Sequence, residues 1–306
     1  MGRVDEIERI RAFNRFYTQH LGLLTDRYLD QERALGPARL LYEIGDRADL
    51  RDLRARLGLD AGYLSRLLRT LEDHNLVRVG PHPADGRARV AALTETGRRE
   101  RADLDERSRR AVTDALGNLT AEQRAELVAA QTTVHRLLRL AGTGIAPVDP
   151  AAAEARTSLL RYAVELAERF PEGYDPATLT APGDVDGTML LATENDHTIG
   201  CGLWTRLAPG TAELRHLWVA AEARGLGLGR RLLAALEADA AAHGITALRL
   251  GTHAALTEAI ALYRGAGYLP IDDYSDSPYN QLAFEKVLLT PGSRGGSAGR
   301  SGSRGT

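Results

Sequence analysis

One stretch in the second half of the chain has the residue types and spacing to hold an anion. Arg224-Gly225-Leu226-Gly227-Leu228-Gly229-Arg230 follows an apolar, strand-like run and opens a helix-forming segment. The start of a helix offers backbone N–H groups without intrahelical partners and a partial positive charge, and together these favour a phosphate. Glycine suits the place because a Cβ would block close approach of the phosphate. Taken alone, the spacing fits several nucleotide-binding loops. A dinucleotide fold is disfavoured: the preceding strands read as antiparallel hairpins, and no acid follows at the required distance. A nucleoside-triphosphatase loop is disfavoured because the closing Gly-Lys-Ser/Thr is absent.

Other chemistry is thinly represented. Cys201 is the only cysteine, which excludes an internal disulfide framework and a multi-cysteine zinc site. It lies mid-strand and reads as buried, and no Cys-His-Asp arrangement suggests a covalent enzyme intermediate. No metal is expected.

The elements around the glycine loop alternate between types. Residues 151–169 read as a helix, and TMLLATEN and TIGCGLWTRL as strands flanking a turn at Asp196-His197. A turn at 208–210 leads to the strand AELRHLWV, then to the loop and its helix. Strand ALRLGTH (247–253), helix TEAIALYRGAG (257–267) and two closing strands, YLPI and LAFEKVL, complete the run.

This order resembles the GNAT superfamily of acetyl-CoA-dependent N-acetyltransferases over about residues 150–289. Arg224 to Gly229 matches its Gln/Arg-x-x-Gly-x-Gly/Ala pyrophosphate loop, and Ala259-Ile260-Ala261-Leu262-Tyr263-Arg264-Gly265-Ala266-Gly267-Tyr268 matches its second signature. Two departures stand out: no first strand is evident before the 151–169 helix, being short, lost or hidden in the preceding linker, and the asparagine often found near position 256 is replaced by Leu256. The resemblance implies acetyl-CoA as co-substrate. It implies backbone pairing of Leu217, Trp218 and Val219 with the pantetheine arm, and phosphate contacts from Arg224, Gly225, Leu226, Gly227, Leu228, Gly229 and Arg230. It assigns Glu213 as the candidate general base, direct or through water, and Tyr263 as the acid beside the thioester sulfur. A base is needed because an alkylammonium with a pKa of about 10.4 must lose a proton before it attacks. Trp204, Trp218, Tyr174, Tyr274 and Tyr279 are candidates for the acceptor pocket or for the core.

The first half is patterned differently. Residues 5–33 carry apolar side chains at three- and four-residue spacings, and Pro37 opens a second helix. Asp49 and Asp60 are candidate N-caps for two short helices separated by Gly58, a helix-turn-helix pattern. LVRV (76–79) and RARVAAL (87–93) form a hairpin, Thr94 starts a long helix, and Thr120 with Gln123 forms a capping box for another. The segment LDAGYLSRLLRTLEDHNLV…DGRARVAALTETG resembles the recognition helix and wing of the MarR family of winged-helix transcriptional regulators. Asp85-Gly86-Arg87 stands at its Asp-x-Arg wing and Leu93-Thr94-Glu95-Thr96-Gly97 at its Leu-Thr-x-x-Gly exit. Tyr63, Ser65, Arg66 and Arg69 fall near one exposed helix face, suited to phosphates and base edges in a major groove. Arg87 and Arg89 alternate along the wing and suit the minor groove. The apolar stripes of the first and last helices exceed what so small a domain covers, and in this family they interlock two chains. A homodimer on a near-palindromic double-stranded operator follows.

Composition is consistent with two folded units. Of 306 residues 43% are apolar and 26% charged, and the formal charge is −2. Residues 1–142 carry net +3 and residues 143–306 net −5. No run is long enough to span a membrane and no signal-peptide core opens the chain, so it reads as cytoplasmic. The expected fold is a mainly-α winged helix-turn-helix over 1–142, a linker at 143–150, an α/β GNAT fold with a mixed, mostly antiparallel sheet over 151–290, and a disordered Gly/Ser/Arg tail over 291–306. The expected function is a regulator that also transfers acetyl groups directly to a small-molecule or protein amine. The alternative is a regulator whose second domain senses acetyl-CoA without turnover.

Overall fold

The computed structural model describes residues 3–20, 34–82, 88–275 and 277–288. The chain folds as two compact units, Met1–Gln131 and Thr132–Thr306.

The first unit holds helices α1 (Arg3–His20) and α2 (Leu35–Ile44), strand β1 (Arg47–Asp49), helices α3 (Leu50–Leu57) and α4 (Ala61–Asp73), strands β2 (Val77–Pro81) and β3 (Arg89–Leu93), and helix α5 (Glu95–Leu116). Helix α6 (Ala121–Gly142) begins in this unit and ends in the second. The caps act where the sequence places them. Asp49 accepts from Arg51 N–H, Asp60 from Tyr63 N–H and Thr94 from Gly97 N–H, and Gly58 closes α3 in the left-handed conformation. Thr120 and Gln123 form the reciprocal capping box, with bonds of 3.0 and 3.3 Å. Helix α4 buries Leu64, Leu67, Leu68 and Leu71, a stripe at helical spacing. Each buried leucine contributes on the order of 2 kcal/mol against the ordering entropy.

The small sheet runs β1-β3-β2, all antiparallel. Strand β1 is three residues long, too short to register as a period in the sequence. Thr94 N–H donates to Leu76 O (2.9 Å) and draws the start of α5 onto β2. A Cβ at Gly97 would lie 2.0 Å from Leu76 O, so close approach of backbones requires glycine there.

The second unit is a seven-stranded sheet in the order β4-β5-β6-β7-β8-β10-β9. Its strands are β4 (Gly144–Val148), β5 (Gly187–Glu194), β6 (His197–Ala208), β7 (Thr211–Val219), β8 (Ala247–Thr252), β9 (Leu269–Ile271) and β10 (Leu282–Val287). Helices α7 (Ala153–Arg169), α8 (Leu228–Ala242) and α9 (Thr257–Gly265) complete it. Every pairing is antiparallel except that of β7 with β8.

Two expectations need correction. The segment read as a linker, 143–150, holds β4, which pairs with β5 from Gly144↔Thr193 to Val148↔Met189. This is the first strand that the sequence left unplaced. Its glycine and Pro147 imitate a linker, and proline is tolerated because β4 is an edge strand. The hairpin between β5 and β6 turns at Asn195-Asp196, one residue earlier than expected, and both residues have positive φ (50° and 64°). That is the two-residue turn whose twist matches a hairpin, and Asn and Asp tolerate it. The expected tail, 291–306, lies outside the described residues.

Candidate functional site

The glycine loop is built by a change of direction after β7. Gly225 (φ 73°) and Gly227 (φ 91°) are left-handed, and Gly227 is the N-cap of α8. An L side chain would be strained at both, although nothing lies within 4 Å of a Cβ built there. Backbone conformation therefore demands these two glycines, and the space beside them is open. At Gly229 a Cβ would make ordinary contacts of 3.5 Å with Leu262 and 3.8 Å with Val219, so protein packing does not demand glycine there. The first helical bond of α8 is Arg231 N–H to Gly227 O (3.2 Å), which leaves the N–H groups of Leu228, Gly229 and Arg230 ahead of it.

Strand β7 supplies the other wall. It pairs with β8 only from Thr211 to Glu213 and then diverges. On its opposite side the β6 register shifts between Cys201 and Leu203, and His216 takes a positive φ of 52°. This β-bulge bends the strand and leaves the Leu214–Val219 edge unpaired by β8. The wedge between the diverging strands opens into a cavity of about 600 Å³ lined by Leu217, Trp218, Val219, Arg224, Gly225, Gly227, Leu228, Gly229 and Arg230, with α7 and α9 closing it. Of the loop residues expected to bind a cofactor, Leu226 alone is not on this lining. Its side chain is buried in the core, and its carbonyl accepts from Arg136 (3.5 Å).

Four charged side chains in the cavity wall form an alternating network. Arg224 donates twice to Glu165 and once to Val219 O (3.1 Å), while Arg169 bridges Glu165 (3.3 Å) and Glu258. Trp218 Nε1 also donates to Glu165 (2.9 Å). Burial opposes ionisation of Glu165, but the bonds from Arg224 and Trp218 outweigh it and hold the carboxyl below its usual range. Arg169 holds Glu258 down at about 2.

A second, smaller cavity of about 100 Å³ adjoins the first, and the two share Tyr162, Leu166, Leu217, Leu256, Ala259 and Tyr263. Tyr263 thus stands where they meet. Its ring rests against Tyr268 (5.9 Å) and Phe284 (6.4 Å), and burial pushes its phenol well above the usual range. Among the described residues its hydroxyl has no hydrogen-bond partner. Glu213 lines the smaller cavity and is buried; Oε1 accepts from Tyr274 (3.0 Å) and Oε2 pairs with Arg215 Nε (2.6 Å). Each carboxylate oxygen retains a further acceptor direction.

The aromatic candidates separate. Tyr174 and Tyr279 line the smaller cavity, 4.8 Å apart, Trp218 lines the larger one, and Tyr274 reaches Glu213. Trp204 is core, its indole donating to Asp239 (2.7 Å). Cys201 is buried and its thiol is pushed up to about 12. Sequence reasoning missed His216, which lines the smaller cavity on the bulge. Its Nε2 accepts from Thr180 N–H (3.0 Å), so the neutral ring carries its proton on Nδ1, and burial depresses its pKa to about 3. Nothing in a lone histidine within a strand signals a bulge.

In the first unit, α4 presents Tyr63, Ser65, Arg66 and Arg69 on its exposed face, and Arg89 is exposed on β3. The Arg66 guanidinium stacks 5.6 Å over the Tyr63 ring, and the Ser65 hydroxyl donates back to Ala61 O (2.8 Å). Arg87, with Asp85 and Gly86, lies outside the described residues.

The combination defines a class: a winged helix-turn-helix unit joined to an α/β unit whose splayed strands and glycine loop form an open cleft. Residues 155–268 match the model of the acetyltransferase (GNAT) family and residues 36–88 that of the MarR family. A curated relative, "IAA acetyltransferase" of Azospirillum brasilense, is 33% identical over 150 residues, spanning 46% of this chain and 94% of the relative. The chain belongs to the acetyltransferase (GNAT) family and carries a MarR-family region ahead of its acetyltransferase domain. Among solved structures, a GNAT-family acetyltransferase from Staphylococcus aureus is 16% identical, covers 48% of this chain and 99% of its own, and has a TM-score of 0.41. A GNAT-family acetyltransferase from Elizabethkingia anophelis with acetyl-CoA bound is 19% identical, with coverage of 48% and 99% and a TM-score of 0.36. Among the described residues no group of three or more His, Cys, Asp or Glu side chains could hold a metal ion, and no helix is long and apolar enough to cross a membrane.

Proposed function

We propose that this acetyltransferase is also a DNA-binding regulator, and that it uses acetyl-CoA to acetylate an amine directly, in a ternary complex. The observation that carries the enzymatic part is Tyr263, which stands where the larger cleft meets the smaller pocket with its hydroxyl free of hydrogen bonds among the described residues. Acetyl-CoA enters the larger cleft with its pyrophosphate on the N–H groups of Gly225 to Arg230 and its pantetheine along Leu217, Trp218 and Val219. The amine enters from the smaller pocket. Glu213, directly or through water, takes the proton that an ammonium must lose. The freed lone pair attacks the thioester carbonyl, and a backbone N–H near Trp218 polarises its oxygen. The C–S bond breaks as the nitrogen loses its second proton, and the departing thiolate, hydrogen-bonded by the Tyr263 hydroxyl, takes up that proton directly or through water to leave as the free thiol.

The regulatory part is supported by the exposed arginines of α4 and by apolar surface on α1, where Ile7, Ile10, Phe13 and Phe16 are each at least half exposed. A second copy of the chain covers that stripe and sets two recognition helices about one DNA turn apart, on a near-palindromic operator. The domains are read as 1–142 and 151–290, with the strand at 144–148 belonging to the second. The acceptor is a small-molecule or protein amine.

The test is calorimetric titration with acetyl-CoA, followed by CoA release across an amine panel. Binding with turnover on at least one amine, reduced in Tyr263→Phe and Glu213→Gln, is expected. Binding without turnover on any amine overturns the catalytic reading and leaves a sensor.

A further inference from the structure

The cofactor cleft has a wall that the family match does not include. Arg136 lies on α6, ahead of residue 155 where that match begins, and its side chain lines the same cavity as the glycine loop. We propose that Arg136 binds the phosphates of acetyl-CoA, so that α6 forms part of the cofactor site; this rests on the reading of that cleft given above.

Three observations converge on Arg136. The cavity lining holds four guanidinium groups, from Arg136, Arg169, Arg224 and Arg230, and two carboxylates, Glu165 and Glu258. Arg169 and Arg224 are taken by those carboxylates. Arg136 and Arg230 have no ion pair among the described residues, so the positive charge available to an anionic ligand is theirs. A partly buried cation without a counter-charge is costly, and a phosphate relieves that cost.

The second observation is position. Arg136 Nη1 donates to Leu226 O at 3.5 Å, which sets the guanidinium against the loop without neutralising it or using its remaining donors. A planar fork of this kind matches phosphate oxygens in pairs.

The third is rigidity. One helical turn on, Arg139 binds Glu194 through two bonds (2.9 and 2.5 Å) and donates to Glu222 O (3.0 Å) just before the loop. Arg231, just after the loop, donates back to Leu140 O (2.5 Å). Helix α6 is therefore fastened to both flanks of the loop, and Arg136, on the same helical face as Arg139, is held in place.

The experiment uses the full chain and two probes: acetyl-CoA, and S-acetylpantetheine, which lacks the phosphates and the adenosine. Arg136→Gln should raise the Kd for acetyl-CoA about tenfold or more while changing that for S-acetylpantetheine less than about twofold. Arg136→Lys, which keeps the charge but not the fork, should fall between. Addition of acetyl-CoA should slow amide exchange of residues 132–142 in the parent and not in Arg136→Gln, provided both variants keep the parent's thermal midpoint. An unchanged acetyl-CoA affinity in Arg136→Gln overturns the proposal, as does equal weakening for both probes, which would mark a structural role. Failure of the parent protein to bind acetyl-CoA at all overturns the underlying reading of the cleft as well.

Discussion

Replacing Tyr263 by phenylalanine isolates one hydroxyl, and the structure limits what its loss can do. A general acid contributes a factor of about 10² to 10⁴ when its proton moves downhill in the transition state. Here the transfer is uphill. The departing thiolate belongs to a thiol of pKa about 8.5, whereas burial holds the phenol of Tyr263 above its usual value near 10. In the proposed mechanism Tyr263 would therefore act mainly as a hydrogen-bond donor to a developing anion, a bond worth roughly 1.5–3 kcal/mol. The expected loss in kcat is about 10- to 100-fold, with the KM for acetyl-CoA changed less than about threefold.

The pH dependence carries the same logic. A phenol pushed upward stays protonated through about pH 9, so the ratio of parent to variant rates should be constant from about pH 6 to 9. The underlying rise with pH comes from the amine. CoA release can be followed with a thiol reagent, because Cys201 is buried and its thiol pushed up to about 12, which suppresses a background signal. The packing of the ring on Tyr268 and Phe284 survives in the variant, so its thermal midpoint should match the parent's. A kcat within about threefold of the parent, or a ratio that collapses as pH rises through about 8.5, would refute the reasoning.

Three further outcomes follow from particular contacts. Gly97→Ala forces a Cβ to 2.0 Å from Leu76 O and should destabilise the first unit by about 1–3 kcal/mol, read as a lowered thermal or urea midpoint; an unchanged midpoint contradicts the close approach. Arg66→Ala should weaken DNA binding across sequences and reduce the slope of log K against log salt by about one if the side chain meets a phosphate, whereas an altered preference at one base pair would assign it to a base edge. His216 is buried neutral with a folded pKa of about 3 against an unfolded value near 6.5. Between those values the unfolded chain binds one proton more, so this residue makes stability fall by about 1.4 kcal/mol per unit as pH drops from about 6.5 towards 3. Urea midpoints at about pH 7, 5.5 and 4.5 should decline less steeply in His216→Asn, and equal slopes would show that the ring is protonated in the native state.

Much of this architecture is written locally and was legible for that reason. Asp49, Asp60, Thr94 and the Thr120–Gln123 box are short-range hydrogen-bonding devices, and each starts its helix where the residue type predicts. The loop glycines were legible as a turn that opens a helix and leaves its first N–H groups free, although the requirement at 225 and 227 is backbone sign of φ and not only clearance. What escaped depends on partners distant in sequence. Strand β4 exists because β5 offers it an edge, and nothing in Gly-Ile-Ala-Pro-Val alone distinguishes that from a connector. The bulge at His216 needs β6 on one side and the departure of β8 on the other. Helix α6 reads as a dimer helix from its own apolar stripe. Its last two turns belong with the glycine loop because Arg136 and Arg139 find their partners some 55 to 90 residues away.

The charge distribution in the cleft explains why the loop motif alone understates the site. Arg224 stands at the motif position that suggests a phosphate ligand, yet it is committed to Glu165 and to the carbonyl of Val219. Those bonds tie α7 to the end of β7, and with Trp218 on the same carboxylate they brace the strand edge along which an extended ligand arm would lie. Arg224 thus serves the shape of the cleft as well as its charge. The attraction for an anion then falls to the N–H groups ahead of the first helical bond of α8 and to the arginines without carboxylate partners among the described residues, Arg136 and Arg230. A dianionic pyrophosphate meeting these groups leaves the Glu165 pairs intact, whereas Arg224, with Nε on Val219 O and one Nη nitrogen on Glu165, has its charge already balanced and only its other Nη nitrogen to offer. On the proposed reading of the cleft, recognition of the phosphates therefore falls mainly to the loop backbone and those two cations, with Arg224 left to hold the shape of the wall.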